Sequence, residues 1–397
     1  MNNQTKGSRE LTGMTVSLLI AVVPVAVCHG LMGTLLNDIV GYYGLSGASE
    51  GLMSSMSFLG AIIGLLLSLP LRHRLTKVAF AGGFAALAAA AILAQGIPVS
   101  FGLFLLFCLL MGMGMGVGDS FQSALMADLH PESAAMHLGI QHAIFGVGNL
   151  TIPLVLHAAL RVMEFHKVYL LVGAACLLMV AQFLIIAAKN RNKFPALTRY
   201  EQPLRLSEIS SCFSPAYTFA VIGLLFGAAA QNGITVWVAR YMTGTMGLAD
   251  IAAWGLSLYW IGTTLCRLIM PRLPFSAESE LFVGSILGGI CWFVGVRIGT
   301  GTSVLAGAFL AGLFSGAFMP LILSISARLN PEKTGLATAV LSVLKTIGQM
   351  LLPLAIGALN AAIGTTPTMK LVSILFFCTA LCGLAIMGTA RKGAQKG

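Results

Sequence analysis

Apolar runs of about twenty residues, separated by short polar stretches, repeat along the whole chain. Their approximate limits are 12–36, 49–70, 77–95, 101–126, 134–159, 166–188, 215–240, 250–270, 280–297, 303–327, 334–359 and 369–390. A helix rises 1.5 Å per residue, so about twenty apolar residues cross the roughly 30 Å of a bilayer's hydrocarbon. Barrel strands would be about ten residues long and would alternate in polarity, which these runs do not. The pattern predicts an all-α membrane protein with twelve transmembrane helices. The first run is longer than a signal-peptide core and has no clean small-residue cleavage site, so it is expected to stay as the first span.

The pattern also repeats itself. "LHPESAAMHLGIQHAIFGVGNLTIPL" begins at Leu129 and "LNPEKTGLATAVLSVLKTIGQMLLPL" at Leu329. Without a gap, Leu129, Pro131, Glu132, Gly148, Pro153 and Leu154 match Leu329, Pro331, Glu332, Gly348, Pro353 and Leu354. That agreement at equivalent places predicts two six-helix repeats. The longest polar stretch, Lys189 to Pro215, is basic, contains Pro195 and Pro203, and falls between them. The expected organisation is an N-terminal six-helix bundle at 1–188, a cytoplasmic central loop at 189–214 and a C-terminal six-helix bundle at 215–397. "LRLSEISS" within the loop is a candidate short surface helix. Parallel repeats of this kind place a site near the bilayer midplane.

Composition narrows the class. The chain has 397 residues, of which 57% are hydrophobic and 9% charged. Soluble domains carry about 25% charged residues, so this chain has no polar surface for a soluble life. The net charge of +10 does not point to nucleic acid, because the basic residues flank apolar runs and orient them. With the N-terminus inside, the inner segments hold Lys6, Arg9, Arg72, Arg74, Lys77, Lys189, Arg191, Lys193, Arg199, Arg205, Arg267, Arg272, Arg328, Lys333, Arg391, Lys392 and Lys396. The outer ones hold only Arg161, Lys167, Arg240, Arg297 and Lys370. Both termini are therefore expected in the cytoplasm, in a bacterial-type plasma (inner) membrane. The eight cysteines are scattered without metal-ligand spacing, and there is no P-loop, so no cofactor is expected.

Twelve spans in two repeats around a basic central loop resemble the major facilitator superfamily. More closely, the text resembles the fucose–proton symporter branch: "YYGLS" at Tyr42–Ser46, Asp119 ahead of "HPE", "AAQNGITVWVARY" at Ala229–Tyr241 and "GLFSGAFMPLILS" at Gly312–Ser324. The branch's first-span acid would fall near Gly33 and is missing. Its seventh-span acid is replaced by Gln231, and "LPLRHRLTK" keeps the basic residues but not the acid of the superfamily's second loop. The resemblance implies a major facilitator fold and a proton-coupled secondary transporter working by alternating access as a monomer. Its partners would be a small-molecule solute, protons and the lipid bilayer. Sugar uptake is the first expectation. An organic anion or an amino-acid-like solute is the second, because of Lys345, and export of a drug or metabolite the third.

Candidate chemistry lies on a few spans. Asp119 follows eighteen uncharged residues, Phe101 to Gly118. A charge at the middle of a membrane helix costs about 2.5–3.5 kcal/mol on insertion scales, so such a carboxyl takes up a proton or finds a partner. Either response suits proton coupling. Lys345, near the middle of span eleven, is the second intramembrane charge, placed to meet an anionic solute or Asp119. Polar groups suited to a hydroxyl-rich ligand are His29 on span one, Gln122 one turn from Asp119, Gln141 and His142 on span five, Gln231, Asn232 and Trp237 on span seven, and Gln349 one turn from Lys345. The methionines of "MGMGMG" point to different faces and cannot converge on a metal; with the glycines they suit close helix packing. "GVGD" matches intramembrane aspartyl proteases in text, but no second acid lies well inside a span to complete a dyad, so no enzyme is expected.

Overall fold

A computed structural model describes residues 2–198, 200, 206–269 and 274–394, leaving aside the side chains of 2–8, 134–135, 206–208, 334–335 and 390–394. Arg199, Arg205, Arg272 and Lys396, and the side chains of Lys6, Arg391 and Lys392, lie outside the described residues. The helices are α1 (Asn2–Thr34), α2 (Leu36–Tyr43), α3 (Leu52–Leu71), α4 (Lys77–Gln95), α5 (Phe101–Leu129), α6 (Ala134–Leu160), α7 (Phe165–Asn190), α8 (Pro215–Gly244), α9 (Ala249–Ile269), α10 (Ala277–Ile298), α11 (Gly301–Ser315), α12 (Phe318–Leu329), α13 (Thr334–Ile363) and α14 (Thr365–Ala394). Among the described residues, eleven helical segments are long and apolar enough to cross a membrane. The twelfth expected span is α9, diluted by Asp250, Arg267, two tryptophans and two threonines. Span ten is interrupted at Gly316 and Ala317 and so consists of α11 and α12. The only strand-like pairing among the described residues is one bridge between Thr76 and Tyr200.

The repeat extends to backbone detail. Thr76 and Ser276 are N-caps whose side chains accept from Ala79 N and Ser279 N. Ser100 and Thr300 are N-caps as well. His130 ends α5 at φ −131°, ψ 60°, and Asn330 ends α12 at φ −133°, ψ 61°. A 3₁₀ turn follows each, at Pro131–Ser133 and Pro331–Lys333. Pro153 and Pro353 sit inside α6 and α13.

The chain divides into two compact units. The first comprises 1–32 and 56–203, the second 33–55 and 204–397. In the first unit, α5 packs on α3 and α4 through glycine. A Cβ at Gly112 would collide with the Ser57 carbonyl, and one at Gly116 would press on Ala61. One end of the unit is an apolar cluster containing Met14, Leu18, Phe80, Phe121 and Leu125. Here the Phe80 and Phe121 rings stack with centroids 4.1 Å apart. The central stretch contributes to it: Pro195–Thr198 forms a 3₁₀ turn that buries Ala196 and Leu197. Of "LRLSEISS", the part from Leu206 on belongs to a 3₁₀ helix, Leu206–Cys212, while Leu204 and Arg205 lie outside the described residues. In the second unit, the equivalent pair Gly312 and Gly316 packs α11 on Tyr259 and Thr263 of α9. Trp292 is buried and donates from Nε1 to the Met369 carbonyl at 2.8 Å. Each unit also holds an ion pair at matching places: Lys77–Asp128 at 2.7 Å in the first, and Glu278–Arg328 in the second.

Candidate functional site

In the first unit the site centres on α5. Glycines at 112, 114 and 116 are consumed by packing on α3 and α4, and the helix then presents Asp119, half-exposed, on the face it shares with Ser123 one turn on. Asp119 makes no hydrogen bond or ion pair among the described residues. Its neighbours are fixed to adjacent helices. Gln122 is fully buried and donates from Nε2 to the Ala21 carbonyl at 2.8 Å, leaving Oε1 without a partner. Gln141 donates from Nε2 to Ser123 Oγ at 2.8 Å and also leaves Oε1 unmet. The His29 ring lies against Phe145, edge-on with centroids 5.5 Å apart, and against Phe58. His142 is exposed. Met111 and Met115 are buried and Met113 is half-buried. No cluster of three or more His, Cys, Asp or Glu able to hold a metal occurs among the described residues.

In the second unit, the amides of span seven tie helices together. Gln231 donates from Nε2 to the Ser315 carbonyl at 2.7 Å, at the interruption of span ten. Asn232 donates from Nδ2 to the Gln349 carbonyl at 2.8 Å. Trp237 is fully buried, with its indole N–H unmet. Lys345 and Gln349 lie one turn apart on α13, both half-buried.

Three charged residues emerge that the sequence reading had counted only as loop charges or passed over. Arg267, in the last turn of α9, donates from Nε to the Gly316 carbonyl at 3.0 Å. Arg240, near the end of α8, grips Glu50 through Nε and Nη2, both at 3.2 Å, and Asn37 through Nη1 at 3.1 Å. Glu50 belongs to the turn ahead of α3, and the next residue, Gly51, abuts the Pro353 carbonyl of α13 so closely that no Cβ would fit. Ser55 donates to the Met350 carbonyl at 2.6 Å. These contacts hold segment 33–55 within the second unit. A cavity of about 470 Å³ at the opposite end of that unit is lined by Ser214, Glu278, Ile325, Arg328, Ile386 and Thr389, and by none of the candidate residues.

Outside the spans, His130 donates from Nε2 to Thr15 Oγ1 at 2.7 Å, because that hydroxyl is itself spent on the Leu11 carbonyl. Its ring stacks on His137 at 3.5 Å between centroids. Burial, and secondarily the neighbouring imidazole, hold the His130 pKa below the ordinary histidine value.

Comparisons with known proteins agree with this architecture. The family model described as Major Facilitator Superfamily matches residues 18–296. An uncharacterized MFS-type transporter, YfkL of Bacillus subtilis (strain 168), is 23% identical over 310 residues, covering 76% of this chain and 75% of that one. A bacterial homologue of the human lysosomal transporter Spinster, solved inward-facing and unoccupied, superimposes with a TM-score of 0.75 at 16% identity over 95% of this chain and 97% of its own. The nucleoside transporter NupG gives 0.74 at 13% identity over 94% and 99%. A peptide transporter POT in complex with sulfate also gives 0.74, at 15% identity over 96% and 94%. With the family model spanning well over half the chain and eleven helical segments among the described residues long and apolar enough to cross a membrane, the protein is a membrane transporter and belongs to the major facilitator superfamily.

Proposed function

We propose that the protein is a proton-coupled secondary transporter that takes up a small polar solute by alternating access across the plasma membrane, with Asp119 as the proton-responsive group. The observation that carries this reading is a half-exposed carboxyl within a 29-residue apolar helix, without a partner among the described residues. An unpaired charge there costs about 2.5–3.5 kcal/mol, which protonation removes. A group that gains this much by taking up a proton, and is open enough to exchange it, suits coupling. The solute-binding set would be drawn from His29, Gln122, Gln141, His142, Gln231, Asn232, Trp237, Lys345 and Gln349. Neutral sugars are the first class to test, since amides and an indole dominate that set. Structural relatives named as peptide and nucleoside transporters support a polar solute more broadly.

A second reading, an anionic solute, is favoured by Arg267, whose only hydrogen bond among the described residues is to a backbone carbonyl. The test is a solute screen in proteoliposomes bearing an inward pH gradient. Accumulation that collapses with a protonophore is the expected result. Uptake of the accepted solute that ignores the pH gradient would refute coupling.

A further inference from the structure

We propose that Arg267, at the interruption of span ten, is the group that binds an oxyanion of the transported solute, a carboxylate or a phosphate. The inference deepens the transporter reading above and rests on it for the word "transported".

Depth comes first. Arg267 is the nineteenth of the 21 residues of α9, so its backbone lies near one end of the bundle. The Cα–Cβ bond of a helical residue tilts toward the helix N-terminus, which here means into the bundle. The guanidinium reaches the Gly316 carbonyl, and Gly316 is the sixteenth of the 29 residues of span ten. The charge therefore sits at the middle depth of that span, although sequence position alone places it with the inner loop.

Its charge has no local answer. Nε is used by Gly316, and no carboxylate pairs with Arg267 among the described residues. The two amino groups carry four further N–H donors in a planar fork that matches carboxylate and phosphate oxygens. The residue as a whole is half-buried, and its charged group is largely enclosed within the unit.

Holding the interruption in place does not require a cation. The adjacent carbonyl, Ser315, is met by the neutral amide of Gln231 at 2.7 Å. A second glutamine would serve Gly316 equally well and would not carry the cost of an intramembrane charge. Nor does the fold require the interruption. Gly116 stands where Gly316 stands in the other repeat, and α5 runs through it as one unbroken helix. The broken span, the arginine, the amide of Gln231, and the hydroxyls of Tyr259 and Ser315, 3.4 Å apart, form one polar collar inside the second unit. Interrupted membrane helices with free backbone and a fixed charge are where transporters hold charged solutes.

The test uses the purified full-length protein in nanodiscs, with thermal unfolding and calorimetry at constant ionic strength. The probes are lactate and citrate for carboxylates, glycerol 3-phosphate and inorganic phosphate for phosphates, and glucose and fucose as neutral controls, all read against sodium chloride. The expected result is binding by a probe from one oxyanion class. Its affinity should fall at least tenfold in Arg267→Gln and less in Arg267→Lys. Two results overturn the proposal: a wild-type protein that binds a neutral sugar and none of the oxyanions, or an Arg267→Gln protein that binds the oxyanion as tightly as wild type. Where Arg267→Gln does not fold, an Arg267→Lys protein that binds the oxyanion as tightly as wild type, or a wild-type protein that binds none of the oxyanions, overturns the proposal. Failure of the coupling reading is separable. Normal pH-driven accumulation of the oxyanion by Asp119→Asn would refute proton coupling through Asp119 and leave Arg267 standing.

Discussion

Glu50→Gln should loosen the clamp that Arg240 makes with Glu50 and Asn37, and should do so measurably. The ion pair is bidentate, with side chains 25% and 14% exposed, which places it between a surface pair and a buried one. Hydrogen bonds to charged groups contribute about 1.5–3 kcal/mol each when shielded, and exposed pairs about 0–1 kcal/mol. Glutamine keeps one acceptor and loses the charge and the second oxygen. The estimated loss is roughly 1–2 kcal/mol, or about 5- to 30-fold in the population in which segment 33–55 leaves α8 and α13. Gly51 against Pro353 and Ser55 against Met350 remain, so opening is favoured without unfolding the segment. Hydrogen–deuterium exchange of a peptide covering 46–55 reads this directly, since exchange through opening accelerates by the same factor. Labelling of Ser54→Cys, a position that is 1% exposed, gives an independent rate. Unchanged exchange and unchanged labelling in both Glu50→Gln and Arg240→Gln would refute the claim that the clamp holds segment 33–55 in place. The exchanged pair Glu50→Arg with Arg240→Glu should restore slow exchange.

Asp119→Asn is expected to abolish accumulation driven by a pH gradient while preserving counterflow exchange of the solute, measured in proteoliposomes. Gly112→Ala should destabilise strongly, because the new methyl meets the Ser57 carbonyl rather than a side chain that can move; a melting temperature within a degree of wild type would contradict the packing. His130→Asn should flatten the fall of stability on acidification. Folded His130 holds its proton less readily than an unfolded histidine does, so the unfolded state binds more protons as pH drops through about 6.5, and stability falls with it. Thermal unfolding of both proteins between pH 7.5 and 5.5 checks the difference, the variant borrowing the residue found at the equivalent position, Asn330.

The spans were legible because burial in a bilayer leaves a coarse signal, a run of apolar residues whose length is set by membrane thickness. The repeat was legible because proline, glycine and the "PE" turn constrain the backbone and so mark it in text. Asp119 stood out because it interrupts eighteen uncharged residues. The interruption at Gly316 and Ala317 was not legible, since "LFSGAFMP" differs little in composition from the unbroken text of α5. Counting charges assigned Arg240 and Arg267 to loops, but counting says nothing of where a long side chain ends. Gln231 and Asn232 illustrate the converse. Their residue type suggested ligand contacts, and both spend an amide N–H on a neighbouring helix. Each keeps its second amide N–H and its carbonyl oxygen for a solute.

Duplication supplies a further criterion for function in this chain. Two copies of one backbone framework share their caps, their 3₁₀ turns and their glycine contacts, so whatever both halves need for folding appears twice. Chemistry that appears once was not required by the fold. The ion pairs show the intermediate case. Lys77 begins α4 and meets Asp128 at the end of α5; Glu278 begins α10 and meets Arg328 at the end of α12. The place is shared and the polarity inverted, as expected where the pair itself serves packing and either sign suffices. Asp119 corresponds to Met319, Lys345 to Phe145, and His130 to Asn330, at a constant spacing of 200 positions. Arg267 lies one turn beyond Thr263, the packing partner of Gly316. The same step in the first unit, one turn beyond Ala61, is Leu65. Asp119, Lys345 and Arg267 were each placed in one copy only, against the cost of carrying a charge inside an apolar bundle. The other copy of the framework has no such charges, which is the pattern expected if these residues serve the proposed transport rather than the fold.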